Sequence, residues 1–112
     1  MTTKNLELYC VTNKPVPFLE GTNIFLAGVG RDKFSKDYIL SNKGINIFSK
    51  ETYYSELTFH YWYWKNKLNL NSNNWIGFCQ KRRYWIKSES KISNINKENI
   101  IKHILQEPEE DW

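Results

Sequence analysis

The residues best suited to chemistry in this chain are Gln80-Lys81-Arg82-Arg83-Tyr84-Trp85, where adjacent guanidinium groups stand beside flat rings. Guanidinium forks match the oxygens of a phosphate, and Tyr or Trp can stack on a base. A solvated basic turn whose rings dock on the core is the competing reading. Thr12-Asn13-Lys14 offers a hydroxyl, an amide and a cation to a nucleobase, ribose or phosphate, or else forms an ordinary surface turn. Glu56 stands near the start of a helical pattern, where a carboxylate stabilises the helix by ~0.3 to 1 kcal/mol, so a catalytic role is the lesser reading. His60 and His103 have no Cys, Asp or Glu at metal-ligand spacing and no nucleophile partner, which makes them surface or packing residues. Cys10 and Cys79 lie far apart in apolar runs, outside any Cys-x-x-Cys cluster, and read as buried free thiols. Gly-x-x-x-x-Gly-Lys, Gly-x-Gly-x-x-Gly and Gly-x-Ser-x-Gly are all missing from the sequence. ATPase, dinucleotide-dehydrogenase and α/β-hydrolase chemistry therefore lose their usual support.

The elements that must position these groups follow from local patterning. Leu6 to Thr12 is a β-rich run, broken by Asn13-Lys14-Pro15-Val16-Pro17, because proline cannot donate to a ladder. Ile24 to Gly30 reads as a second strand, and 35–50 shows no lasting period and reads as irregular. Thr52 to Leu68 is predicted as a helix, with Leu57, Tyr61, Trp64 and Leu68 on one face at steps of four, three and four. Phe59, Trp62 and Tyr63 put aromatics on its other faces, so this helix is covered or lines a cleft. Trp75 to Cys79 is an unbroken apolar run, the pattern of a strand buried on both faces. A last helix is expected from Asn96 to Gln106, with Ile100, Ile101, Ile104 and Leu105 on its apolar side. Strand, helix, strand order predicts an α/β fold with a small, mainly parallel sheet and flanking helices. In such sheets ligands bind beyond the carboxyl ends of the strands, where the Thr12 and Gln80 loops fall.

The chain has 112 residues, enough for a single domain spanning 1–112 and too few for a second full one. Sixteen Lys and Arg against twelve Asp and Glu give a net charge of +4, a mild preference for anionic partners. Hydrophobic content of 40% with 16% aromatic residues predicts a folded chain, and the negative mean hydropathy reflects abundant Asn and Lys. The opening residues run into a strand pattern without the apolar stretch of a signal peptide, and no run reaches the ~20 apolar residues of a membrane span. A cytoplasmic location is the resulting expectation.

Two strings together resemble a known family. Tyr53-Tyr54-Ser55-Glu56-Leu57-Thr58-Phe59-His60-Tyr61-Trp62-Tyr63-Trp64-Lys65-Asn66, followed by Trp75-Ile76-Gly77-Phe78-Cys79-Gln80-Lys81-Arg82-Arg83-Tyr84-Trp85, is similar to the pattern of the glycosyltransferase-like family called domain of unknown function 4422. That family occurs among capsular and exopolysaccharide biosynthesis proteins. Val11-Thr12-Asn13-Lys14-Pro15 also resembles its amino-terminal Val-Thr-His-Lys-Pro, so the likeness covers most of 6–85. The chain departs from the pattern at Asn13, where the family has His, at Gln80 and Lys81, where it has His-Tyr, and at Trp85, where it has Phe.

The resemblance implies the nucleotide-sugar-binding, Rossmann-like half of a GT-A-like fold, the donor side of a transferase in polysaccharide or glycan biosynthesis. Thr12, Asn13, Lys14, Glu56, Trp64, Lys65, Arg82, Arg83 and Tyr84 are the positions it implies for substrate binding, with Trp62 and Asn66 in support. GT-A-like enzymes hold a divalent metal, Mg or Mn, on the donor diphosphate with Asp-x-Asp. No Asp-x-Asp occurs in these residues, so a cofactor is expected only in a longer relative and catalysis is not expected of these residues alone. Glu109-Glu110-Asp111 reads as a solvated tail. Two alternatives stand beside the transferase. The charge and the basic aromatic run would suit a small nucleic-acid-binding module. The missing acidic motif would suit an inactive remnant or accessory protein, whose open sheet edge could be covered by self-association.

Overall fold

Leu6–Thr12 forms β1, the strand around which the computed structural model is organised; the structure describes residues 5–81 and 83–109. Phe25–Gly28 forms β2, Ile39–Leu40 forms β3 and Trp75–Gln80 forms β4. The four strands make one sheet in the order β3-β2-β1-β4, and every pairing is parallel. The expected parallel α/β sheet is what the chain builds. β3 was hidden in the irregular stretch because two residues carry no readable period.

Alternation along β1 gives the sheet two apolar faces. Leu8 and Cys10 point to one, where they pack with Val16, Leu19, Ile24, Leu26, Tyr38, Cys79 and Ile104. Tyr9 and Val11 point to the other, with Ala27, Val29, Phe59, Trp62 and Tyr63. The links from β1 to β2 and from β2 to β3 cover the first face, supplying Val16, Leu19 and Tyr38. The Tyr38 hydroxyl ties them together, accepting from the Val16 N–H at 2.8 Å and donating to Glu20 Oε2 at 2.9 Å. The link from β3 to β4 covers the second face. Crossovers of one hand that progress in opposite directions must lie on opposite faces, and this arrangement obeys that rule.

The predicted helix over Thr52 to Leu68 is two helices. Glu51–Tyr54 forms α1 and Leu57–Asn66 forms α2. The break is at Ser55, whose φ of 49° and ψ of −125° lie where a side chain is strained. Its N–H closes α1 on the Glu51 carbonyl at 2.8 Å, and its carbonyl accepts from the Thr58 N–H at 3.1 Å and hydroxyl at 2.7 Å. Ser55→Gly is expected to raise stability by about 1 kcal/mol, because relief of strain outweighs the added freedom of glycine in the unfolded chain. Urea unfolding measures it, and a loss of stability would contradict the strained turn.

The buried face of α2 also differs from the expected one. Thr58, Phe59, Trp62 and Tyr63 are buried, whereas Leu57 is 56% exposed, Trp64 58% and Leu68, just past the helix, 40%. Phe59, Trp62 and Tyr63 recur at three and four residues just as the other set does, so spacing supports both faces equally. Packing decides: Tyr9 lies edge-on to Tyr63 at 5.1 Å between ring centroids, and Phe59 and Phe78 close the cluster. Trp62 further donates its indole N–H to the Lys43 carbonyl at 2.6 Å.

β4 is an edge strand, half-buried along most of its length, and so differs from the two-sided burial its apolar run suggests. The carboxyl-terminal helix is shorter than expected. Ile100–His103 forms α3, after which Ile104 turns extended and bridges Ile86, with the Leu105 N–H on the Trp85 carbonyl at 2.8 Å. Ile104 and Leu105 are buried as their apolar character requires, but from this extended segment. No helix among the described residues is long and apolar enough to cross a membrane.

Candidate functional site

Strand order fixes where the crevice of the sheet lies. The chain proceeds outward from β1 through β2 to β3 and then returns to the other side of β1 as β4, so the crossovers part on either side of the β1–β4 boundary. A crevice opens beyond the strand ends at such a switch point. A cleft of about 160 Å³ lies there, lined by Val11, Thr12 and Asn13 from the end of β1, Val29 after β2, Gln80 and Lys81 from the end of β4, and Glu51, Ser55 and Glu56 from the α1–α2 turn.

Local hydrogen bonds shape the β1 exit. Thr12 is buried, and its hydroxyl accepts from the Lys14 N–H at 3.1 Å and donates to the Lys14 carbonyl at 2.6 Å, bending the chain so that Asn13 projects. Asn13 Oδ1 accepts from Lys81 Nζ at 2.7 Å, joining the β1 and β4 exits across the cleft. Glu56 Oε1 accepts from the Gln80 side-chain amide at 2.9 Å, joining the helix turn to the same exit. Asn13, Gln80 and Lys81 thus all line the cleft, and two polar links hold them.

After Gln80 the chain reverses tightly, with Gln80 and Arg83 exchanging N–H···O bonds of 3.0 and 3.1 Å. Arg83 is exposed and outside the cleft lining, and Arg82 lies outside the described residues. Tyr84 packs half-buried on the first apolar face, with its hydroxyl donating to the Lys81 carbonyl, so it braces the turn from behind. Burial raises its hydroxyl pKa well above the ordinary tyrosine value. Trp85 donates its indole N–H to the Phe78 carbonyl at 2.8 Å while its ring remains exposed.

Trp64 and Lys65 lie apart from this cleft. They are two turns along α2 from Glu56, a displacement of ~12 Å at 1.5 Å per residue. There Lys65 Nζ sits 3.8 Å from the Trp64 ring centroid, a cation–π pair on an exposed corner. Asn66 has a clear local task. Its side-chain amide donates to the Ile45 carbonyl at 2.8 Å and the Trp62 carbonyl at 2.9 Å, clasping the 43–45 loop to the end of α2. The structure therefore gathers Thr12, Asn13, Glu56 and Lys81 at one opening, with Lys14, Arg83 and Tyr84 around it.

Glu51 is the cleft residue that sequence reasoning passes over. Its carboxylate rests on Gly30, where a Cβ would stand only 3.2 and 3.4 Å from its two oxygens. Gly30 has a φ of +83°, so both the backbone turn and the close approach call for glycine. The partner of Gly30 is 21 residues away in sequence and outside the two strings, so no local pattern points to it.

His60 is one turn beyond Glu56 and packs on Phe78 at 4.6 Å between ring centroids. Burial lowers its pKa below the usual 6.5, and the nearby Glu56 charge opposes that shift. The folded state thus binds fewer protons than the unfolded state, and this residue's contribution to stability is complete above pH ~6.5 and lost as pH falls toward its folded pKa. Melting temperature should fall between pH 7 and 5, with a smaller fall in His60→Gln. Equal slopes would contradict the burial effect. His103 is 2.8 Å from Ser90 Oγ through Nδ1.

Cys10 and Cys79 are register partners on β1 and β4, both buried and free. Their long sequence separation concealed this adjacency. Hydrogen bonding to Cys79 and burial push the Cys10 thiol far above its ordinary value, the behaviour of a packed thiol. No group of three or more His, Cys, Asp or Glu able to hold a metal occurs among the described residues. Glu109, expected as a solvated tail, accepts from the Ser88 hydroxyl at 2.6 Å, and Glu110 and Asp111 lie outside the described residues.

Comparison with known proteins adds one assignment. No curated protein and no solved structure matches the chain. A family model does match, over residues 7–110, and this span takes in the sheet, the aromatic helix and every strand exit that builds the cleft. The chain therefore belongs to the family described as domain of unknown function DUF4422.

Proposed function

We propose that the chain is the donor side of a glycosyltransferase-like protein and binds a nucleotide sugar at the β1–β4 strand exits. The observation that carries this reading is the cleft at the topological switch point, lined by Asn13, Glu51, Glu56 and Lys81. Parallel α/β sheets hold nucleotides at this location because backbone and side-chain donors converge there. Donor binding, and not catalysis, is assigned to these residues. The resemblance to capsular and exopolysaccharide biosynthesis proteins supports the same class.

Calorimetric titration with a panel of nucleotide sugars tests the reading. Saturable binding by at least one is expected, weakened about tenfold or more in Lys81→Ala through loss of a charge-assisted contact and unchanged in Trp64→Ala. Binding to oligonucleotides alone, falling steeply with salt, would instead favour a nucleic-acid-binding module.

A further inference from the structure

The size and charge of the cleft narrow what can enter it. At about 160 Å³ the cleft is sized for one small ring, and the rest of a nucleoside diphosphate sugar would extend beyond it. Among the described residues, its charged side chains are two carboxylates, Glu51 and Glu56, against one ammonium, Lys81, which is already engaged by Asn13 at 2.7 Å. A phosphate placed beside Glu51 and Glu56 would meet two carboxylates at close range. Hydroxyl groups suit the lining better. An ionised carboxylate is an acceptor with two oxygens, and O–H···O⁻ bonds are short and strong. Glu56 is aimed by the Gln80 amide at 2.9 Å, and Glu51 is seated on Gly30, whose lack of a Cβ admits it. Among the described residues, the cations beside the strand exits that a diphosphate could meet, Lys14 and Arg83, are exposed and outside the lining.

We propose that the cleft holds a single sugar ring by its vicinal hydroxyls, with Glu51 as the residue that selects for them, while the phosphates stay outside. This rests on the nucleotide-sugar reading above and reverses the simplest expectation from the basic turn, which would put phosphate at the centre. The ring is either the ribose of the nucleotide or the sugar it carries. Both present the same diol chemistry.

The test is calorimetry on the intact chain with four probes: the nucleotide sugar that binds best, its nucleoside diphosphate, the 2′,3′-dideoxy form of that diphosphate, and inorganic pyrophosphate. If the ring is ribose, the dideoxy compound binds about tenfold or more weakly than the ribose form. If it is the transferred sugar, the diphosphate lacking it loses that affinity instead. In either case pyrophosphate gives no saturable binding. Glu51→Gln should weaken the diol-bearing ligand about tenfold and leave the compound lacking that diol unchanged. Full affinity in both the analogues and Glu51→Gln would overturn the proposal while leaving nucleotide-sugar binding intact, as would saturable pyrophosphate binding that displaces the nucleotide sugar. Failure of every nucleotide sugar to bind would remove the underlying reading as well. The ligand comparisons use the unaltered chain, so they decide the matter even if Glu51→Gln does not fold.

Discussion

Phe59→Ala is expected to lower the free energy of unfolding by about 3 to 5 kcal/mol, the range for emptying a large aromatic from a closed core. Phe59 is 0% exposed and stands at the centre of a ring cluster, 5.7 Å from Tyr9, 5.7 Å from Trp62 and 6.3 Å from Phe78 between centroids. These neighbours come from β1, α2 and β4, so the cavity would open where the helix meets the sheet. A small domain has only about 5 to 15 kcal/mol to lose. Leu57→Ala is the matched control, because Leu57 is on the opposite face and 56% exposed; its cost should be within about 0.5 kcal/mol. Urea denaturation of the two variants decides which face of α2 is buried. Equal losses, or a larger one for Leu57, would contradict the packing.

Leu19→Ala should cost about 2 to 5 kcal/mol on the other face of the sheet. The link from β1 to β2 contains only a short 3₁₀ turn, Pro17–Leu19, and Leu19 is its buried residue. A long helix would spread burial over several side chains. Here Leu19 is 0% exposed within the cluster of Leu8, Cys10, Leu26 and Ile104, and little else in that turn can refill its place. Phe18, its neighbour, is 46% exposed, so Phe18→Ala should cost much less. Similar losses for Leu19 and Phe18 would contradict this account of the covering layer.

The fold was legible where a local pattern had a single solution. Leu6–Thr12 combines β-rich residues with a proline stop, and the strand ends where that stop begins. Parallel pairing followed from the strand, helix, strand order. Errors arose where two solutions satisfied one pattern. The aromatic helix has two faces at helical spacing, and the choice belongs to Tyr9 and Phe78, which are remote in sequence. Trp75-Ile76-Gly77-Phe78-Cys79 reads as a central strand, but its place at the edge depends on the direction in which the chain returns after α2. Ser55 breaks the helix without the glycine or proline that normally marks such a point.

The place of the candidate cleft was legible by rule and its lining only partly by residue. A cleft does open at the strand exits, and Thr12, Asn13, Glu56 and Lys81 gather there. Glu51 was invisible because its relation to Gly30 depends on the fold. Trp64 and Lys65 came with the string that contains Glu56, but helical rise carries them away from the opening. Membership in the DUF4422 family follows from the chain as a whole; donor binding must be measured at the cleft.

The most direct measurement is a two-dimensional amide NMR titration with the nucleotide-sugar panel. Nucleotide-sugar binding at the β1–β4 exits predicts saturable shifts centred on Thr12, Asn13, Glu51, Glu56, Gln80 and Lys81, with Trp64 and Lys65 unmoved. No saturable shift with any donor, or shifts centred on Trp64 and Lys65 with the strand exits silent, would contradict it.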